Sequence, residues 1–210
     1  MKLISLKLCA KIGFVNCFCV VADLAFGRFS AHWTMWERAV GDSLIHCIVA
    51  IGCWWVVTDD TTQNNVPGLL LCGFLSSLVD IDHFIEAKSF ALQDAISVNR
   101  RGIFHCFIAI PLVAGLFWCL RGYFENLNVL CFSSVNVKLL NLNLPLLIIV
   151  AWFSHQLRDS TRRGLYLFPG FSTAPVPIFV YLALITLLCY IGNVLYISKV
   201  ELENVDSLIV

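Results

Sequence analysis

The sequence predicts an all-α, polytopic transmembrane helical bundle of about five spans, six if the N-terminal segment also crosses. Two observations carry this. The 210 residues are 59% hydrophobic and only 13% charged, with a mean hydropathy of +0.83, where soluble domains run near ~25% charged. Five apolar stretches are also long enough to cross a bilayer, allowing for tilt.

The N-terminal segment, residues 1–39, has three readings. Lys2, Lys7 and Lys11 precede an apolar run from Ile12 to Phe26 that Asn16 and Asp23 interrupt. It fits a signal peptide, a first span or a helix lying in the interface. Ala22-Asp23-Leu24-Ala25 is a poor cleavage site, because a small-residue pattern is required there.

The bundle occupies residues 40–198. Helix B covers 40–58. Helix C covers 66–84 and opens on Val66-Pro67. Helix D covers 102–120, with Pro111 inside it and a kink expected there. Helix E covers 142–158, with Pro145 in its first turn. Helix F covers 175–197 and opens on Pro175 and Pro177. Proline suits a helix start because the first N–H groups lack partners anyway. Asn126 to Asn143, with five asparagines, reads as the longest loop, and residues 199–210 as a short tail. The ten cysteines include Cys47, Cys53, Cys72, Cys106, Cys119 and Cys189 inside apolar segments, which reads as small buried hydrophobes.

Lysine and arginine counts in short loops set orientation. The C–D and E–F loops hold six, and the loops and tail on the other side hold three. If the N-terminal segment does not span, the contrast is eleven against three. If it does span, it shrinks to eight against six. The larger contrast favours five spans, a cytosolic N-terminus and cytosolic C–D and E–F loops. Formal net charge is zero, so no bulk basic field points to nucleic acid. The lipid bilayer is the expected partner.

The ionisable residues fall near one membrane face. Helix B begins there with Asp42 and His46. Helix C ends there with Asp80-Ile81-Asp82-His83. Helix D starts there with Arg101 and His105, and helix E ends there with His155 and Asp159. Only the alternation of helices is needed for this gathering. His155 and Asp159 share a helix face at a spacing of one turn, as do Asp80 and His83. Asp82 points inward only if its helix ends before it. His32 lies apart. Imidazole and carboxylate suit zinc, iron or manganese, and one or two ions could be held through bridging carboxylates. A spare carboxylate, Asp80 or Asp82, would serve as general base. Arg101, Arg158, Arg162 and Arg163 border the group, and guanidinium matches phosphate oxygens in bidentate fashion. A phosphate or lipid-headgroup substrate therefore fits. The competing reading is a non-enzymatic protein in which the cluster is a structural metal clasp or a hydrogen-bonded polar core.

The run from Gly73 to Asp80-Ile-Asp-His83, then Arg101-Gly-Ile-Phe-His105, then Ser154-His155-x-x-x-Asp159 with Thr161, Gly164 and Pro169, resembles the LexA-binding, inner-membrane-associated hydrolases. The whole chain, with its cysteine-rich start, resembles an animal family, the transmembrane protein 267 family. The first resemblance covers about Ser43 to Pro169 and implies a membrane-bound, metal-dependent hydrolase. It implies that His46, Asp80, Asp82, His83, His105, His155 and Asp159 are the metal and catalytic positions, with a divalent ion such as zinc or manganese. The sequence departs from that pattern at Phe104-His105-Cys106, where the family has Thr-His-Ser, so two hydroxyls beside His105 are missing. The Pro-Ser-Gly-His block of phosphatidic-acid-type lipid phosphatases is absent, which argues against their mechanism.

Overall fold

Polar residues inside and apolar residues outside give the architecture its character. The computed structural model describes residues 5–58, 66–98, 100–131 and 137–209, with side chains described outside 121–142 and 202–209. Phe14, Leu70, Phe74, Leu112 and Phe179 face outward with more than half their surface exposed, whereas His46, Asp82, His155 and Arg158 are buried. A protein in water hides its apolar side chains. One in lipid has no reason to, and turns its polar groups toward each other.

Eight helices are described: α1 (Leu6–Phe29), α2 (Met35–Thr58), α3 (Val66–Leu78), α4 (Ile81–Ala87), α5 (Leu92–Ser97), α6 (Ala109–Cys131), α7 (Val137–Arg163) and α8 (Ile178–Ile209). A two-stranded antiparallel hairpin, β1 (Tyr166–Phe168) and β2 (Phe171–Ser172), joins α7 to α8. Four stretches are long and apolar enough to cross a membrane, Leu6–His32, Met35–Thr58, Val66–Ala87 and Ile178–Glu201, and Ala109–Leu120 is a shorter apolar helix. The fold is an all-α membrane bundle. Helices α2 and α7 form its centre: α2 packs on α1, α3, α7 and α8, and α7 on α2, α3, α6 and α8. Their shared core includes Val49, Ala50, Cys53 and Trp54 of α2, Leu147, Val150 and Ala151 of α7, and Tyr181, Ile185 and Cys189 of α8.

Several sequence expectations change. The N-terminal segment, read as a signal peptide, a first span or an interfacial helix, holds a helix packed on α2 and α8. α1 is a 24-residue helix capped by Ser5, whose side chain accepts from the Leu8 N–H at 3.1 Å. It lies antiparallel against α2, with Phe14 on Trp55 at one end and Phe26 on Trp33 at the other. Its first residues therefore sit at the bundle end opposite Asp42 and His46. A cytosolic N-terminus and a cytosolic His/Asp face cannot both hold for a helix that runs the length of α2. α2 starts before residue 40 because Thr34 and Glu37 form a reciprocal capping box. The Thr34 N–H donates to Glu37 Oε2 at 2.6 Å, and the Glu37 N–H donates to Thr34 Oγ1 at 3.3 Å.

The two internal prolines exchange roles. Pro111 lies in the first turn of α6, where it starts the helix rather than kinking it, and residues 102–108 form a loop with a 3₁₀ turn at Ile103–His105. Pro145 lies inside α7, which begins eight residues earlier at Val137. The asparagine-rich loop shrinks accordingly, because α6 runs to Cys131. No proline lies between Gly122 and Asn143 to stop either helix. α8 likewise continues to Ile209, through the expected tail. The described cysteines are free. Cys53, Cys72, Cys106 and Cys189 are buried as expected, but Cys119 is exposed. Asp59 and Asp60 lie outside the described residues.

The change that matters most is a break in helix C. α3 stops at Leu78, two turn residues follow, and α4 starts at Ile81. The N–H groups of Val79, Asp80, Asp82 and His83 donate three residues back, to Ser76, Ser77, Val79 and Asp80. No glycine or proline lies between Phe74 and Ala87. What holds the break is tertiary: Ser77 Oγ donates to the Ser43 carbonyl at 3.1 Å, and Asp82 is gripped by the loop before α6.

Candidate metal centre

Asp82 is 2% exposed, and its carboxylate is fully used. Oδ2 accepts from the backbone N–H groups of Phe104 and His105 at 3.0 and 3.2 Å, and both oxygens lie 3.0–3.1 Å from His105 Nδ1. A carboxylate only accepts, so Nδ1 carries the proton and Nε2 of His105 is turned toward the centre of the bundle. Gly102 makes the contact possible. A Cβ there would fall 2.3 Å from Asp82 Cγ and Oδ2.

Four side chains from three segments converge on the space that His105 Nε2 faces. His155 Nε2 is 3.3 Å from it, Asp159 Oδ2 3.4 Å and Asp80 Oδ1 3.6 Å. His155 Nε2 is 3.5 Å from Asp80 Oδ1 and 3.9 Å from Asp159 Oδ2. These are poor lengths for charge-assisted hydrogen bonds, which run ~2.7–2.9 Å. Elsewhere in the same site such bonds have the usual length: Arg158 Nε to Asp23 Oδ1 is 2.8 Å and Arg162 Nη2 to Asp159 Oδ1 is 2.6 Å. Ligand atoms held tetrahedrally at 2.0–2.1 Å from one ion are about 3.3–3.4 Å apart, whereas octahedral neighbours at ~2.1 Å are about 3.0 Å apart. The donor spacing fits the first pattern.

His46 and His155 stack with ring centroids 3.8 Å apart, and His105 and His155 are 5.1 Å apart centroid to centroid. Both ring nitrogens of His46, and Nδ1 of His155 and of His83, are buried without a hydrogen-bond partner. His46 Nε2 is 3.4 Å from the other Asp159 oxygen, Oδ1. His83 is peripheral, with its Nε2 3.9 Å from Asp80 Oδ1 and its side chain 18% exposed. Asp80 is the most open of the donors, with 32% of its side chain exposed. His32 is exposed on the 3₁₀ turn after α1, away from the group. Burial alone would disfavour a charged His105, but the carboxylates of Asp159, Asp80 and Asp82 outweigh it and push its pKa up to about 11.

The arginines divide. Arg158, expected to hold substrate, is 2% exposed, with Nε on Asp23 and Nη1 on Asp42 Oδ1 at 2.7 Å. It ties α1, α2 and α7 together and has no face toward a ligand. Arg162 spans Asp42 and Asp159, at 3.0 and 2.6 Å. Arg101 donates to the Gly164 carbonyl at 2.7 Å, steadying the hairpin junction, where Gly164 has φ +74° and a Cβ would strike the Thr173 carbonyl. Its Nη2 is buried without a partner. Asp23 is the residue that sequence reasoning passed over. A carboxylate in an apolar run of membrane length is a signal in itself.

The fold and the cluster define a multi-pass α-helical membrane protein with a His/Asp centre at one end of its bundle. The chain belongs to the YdjM inner membrane protein family, whose model matches residues 42–205. Among curated relatives it is similar to transmembrane protein 267 of Mus musculus, 34% identical over 176 residues, which cover 81% of this chain and 74% of the relative. The Bos taurus protein of the same name is 31% identical over 174 residues, 83% and 76% of the two chains. That of Xenopus laevis is 32% identical over 167 residues, 80% and 73%. No solved structure matches the chain.

Proposed function

We propose that the protein holds one divalent metal ion through His105, His155 and Asp159, with the fourth position left open to water beside Asp80, and uses it for hydrolysis of a phosphate or lipid-headgroup substrate. The carrying observation is the donor spacing of 3.3–3.9 Å, too long for the hydrogen bonds of a closed polar core and near that of a tetrahedral site. Zinc suits this spacing and the mixed imidazole and carboxylate donors better than magnesium. The charge balance agrees. Among the described residues, the five carboxylates of Asp23, Asp42, Asp80, Asp82 and Asp159 are matched by Arg158, Arg162 and a protonated His105, which leaves an excess of negative charge that a cation would offset.

Bound there, such an ion supplies a water of lowered pKa and a Lewis acid for a phosphoryl or carbonyl oxygen. The residues do the rest. Asp82 fixes the His105 tautomer and ring angle. Arg162 holds Asp159 in place. Asp80, the open carboxylate, would take a proton from the attacking water. Arg101 lies beside the site with a spare donor for an anion.

A second reading is a structural clasp. It draws support from the burial of His46, His105 and His155 at 1%, 3% and 0% exposure, and from the fact that the donors tie α2, the α3–α4 break, the loop before α6 and α7 together. A phosphatase assay separates the two. Zinc-loaded protein in nanodiscs should release phosphate from a soluble aryl phosphate, and Asp80→Asn should lose at least about 100-fold in rate, within the range assigned to general acid–base groups. Retained metal and helicity with zero turnover in the unmutated protein would leave the clasp. With α1 counted as a span, the lysine and arginine contrast still favours the cluster side as cytosolic, eight against six, and the N-terminus then faces the other compartment.

A further inference from the structure

A cavity of about 360 Å³ opens beside the donor set. This is the low end of the ~300–1,000 Å³ typical of ligand sites. Its lining is of two kinds: Asp42, Asp80, His83 and Arg163 are polar, whereas Leu92, Ala95 and Ile96 of α5 and Trp36 and Val40 of α2 are apolar. Four lining residues, Trp36, Val40, Ile81 and Ile96, are also exposed on the outer surface, by 60%, 53%, 45% and 53%. The rim is therefore apolar and turned to the surroundings of the bundle. A water-soluble metabolite gains nothing from such a rim, whereas a molecule already in the bilayer meets no barrier there.

Arg163 supplies the other half of the argument. Arg158 and Arg162 are consumed by Asp23, Asp42 and Asp159. Arg163 lines the cavity and, among the described residues, forms no ion pair. It is an unneutralised guanidinium lining the same cavity as Asp80, the most open carboxylate of the centre. Asp42, which also lines the cavity, is already neutralised by Arg158 and Arg162. The polar part of the lining is thus suited to an anion between Arg163 and a cation held beside Asp80.

We infer that the substrate is a single-chain anionic amphiphile drawn sideways from the bilayer, its phosphate monoester between Arg163 and the centre and its alkyl chain along Leu92, Ala95 and Ile96. This rests on the metal reading above, because without a cation the Asp80 carboxylate opposes an anion. The small volume favours one chain over two. Arg163 was only a bordering residue in the sequence. Its role here is specificity for the charged head.

The test is photolabelling of full-length, zinc-loaded protein in phosphatidylcholine nanodiscs. The probe is dodecyl phosphate carrying a diazirine near the chain end, and labelled peptides are read by mass spectrometry. Label should concentrate on residues 36–40 and 92–98, about tenfold above the lipid-facing α8 positions Leu187 and Val194. Excess dodecyl phosphate should remove it. Inorganic phosphate and dodecyltrimethylammonium should not. Arg163→Ala should cut the cavity label about tenfold, equivalent to about 1.4 kcal/mol, with metal content unchanged. Ala95→Phe, which fills the apolar part, should do the same. If Ala95→Phe fails to fold, Arg163→Ala and Arg163→Gln carry the result. Even labelling of metal-loaded protein over all lipid-facing helices, or label indifferent to Arg163→Ala, overturns the inference. Zinc content measured on the same samples separates this from failure of the metal reading, in which the protein takes up no metal.

Discussion

Gly102→Ala is the smallest change that should disable the centre without touching a donor. The added methyl would lie 2.3 Å from Asp82 Cγ and Oδ2 and 2.7 Å from its Cβ, more than 1 Å inside ordinary van der Waals contact. Neither partner can yield cheaply. Asp82 is buried and held by three donors, and the 102–105 segment is anchored by two of those bonds. A shift of about 1 Å takes contacts of 3.0–3.2 Å beyond hydrogen-bonding range. His105 then loses the group that fixes its tautomer and aims Nε2. Loss of such an outer-shell partner costs ~10–100-fold in metal affinity, so zinc binding should weaken by about 1.4–2.7 kcal/mol. The assay is zinc competition with a chromophoric chelator on detergent-purified protein, with circular dichroism to show that helicity is kept. Zinc affinity within about twofold of the unmutated protein would refute the claim that Asp82 aims His105 at an ion.

Other outcomes follow from the same geometry. Arg158→Met should lower thermal stability by about 3–5 kcal/mol, because it strands the Asp23 carboxylate and leaves Asp42 with Arg162 alone. Thermal unfolding in micelles reads this, and an unchanged midpoint would contradict it. His105 is held protonated up to about pH 11 in the metal-free protein. An ion must displace that proton, so apparent zinc affinity should fall as pH is lowered, with proton uptake visible in weak buffer when zinc is chelated. A pH-independent affinity between pH 6 and 8 would count against His105 as a ligand. His46→Ala should weaken zinc binding less than His155→Ala, since the Asp159 oxygen that His46 faces is already held by Arg162. Labelling of single cysteines at positions 6 and 172 from one side of the membrane should give opposite accessibility, because α1 runs the length of α2.

The helical class and the gathering of four histidines were legible in the sequence because they need only composition and the alternation of spans. What was hidden depended on contacts. The α3–α4 break turns Asp80 and Asp82 inward, yet no residue from Ser76 to His83 is a helix breaker, so no local rule marks it. The loop carrying His105 was readable in principle. Proline suits the first turn of a helix, and Pro111 with Gly102 before it places the start of α6 after His105 rather than before it. Arg158 looked like a substrate arginine because loops near the cytosol collect arginines. Only the path of α1, which brings Asp23 to it, makes it a buried strut. Arg163, one turn residue further on, was no more conspicuous in the sequence than its neighbours, and it is the cavity that distinguishes it.

Metal stoichiometry shows whether the His/Asp group holds an ion. Protein purified in detergent, loaded with zinc and freed of excess, should carry about one zinc per chain by inductively coupled plasma mass spectrometry. Asp80→Asn with His155→Ala should carry none while remaining helical. Unmutated protein that stays folded and binds neither zinc nor manganese would contradict the account.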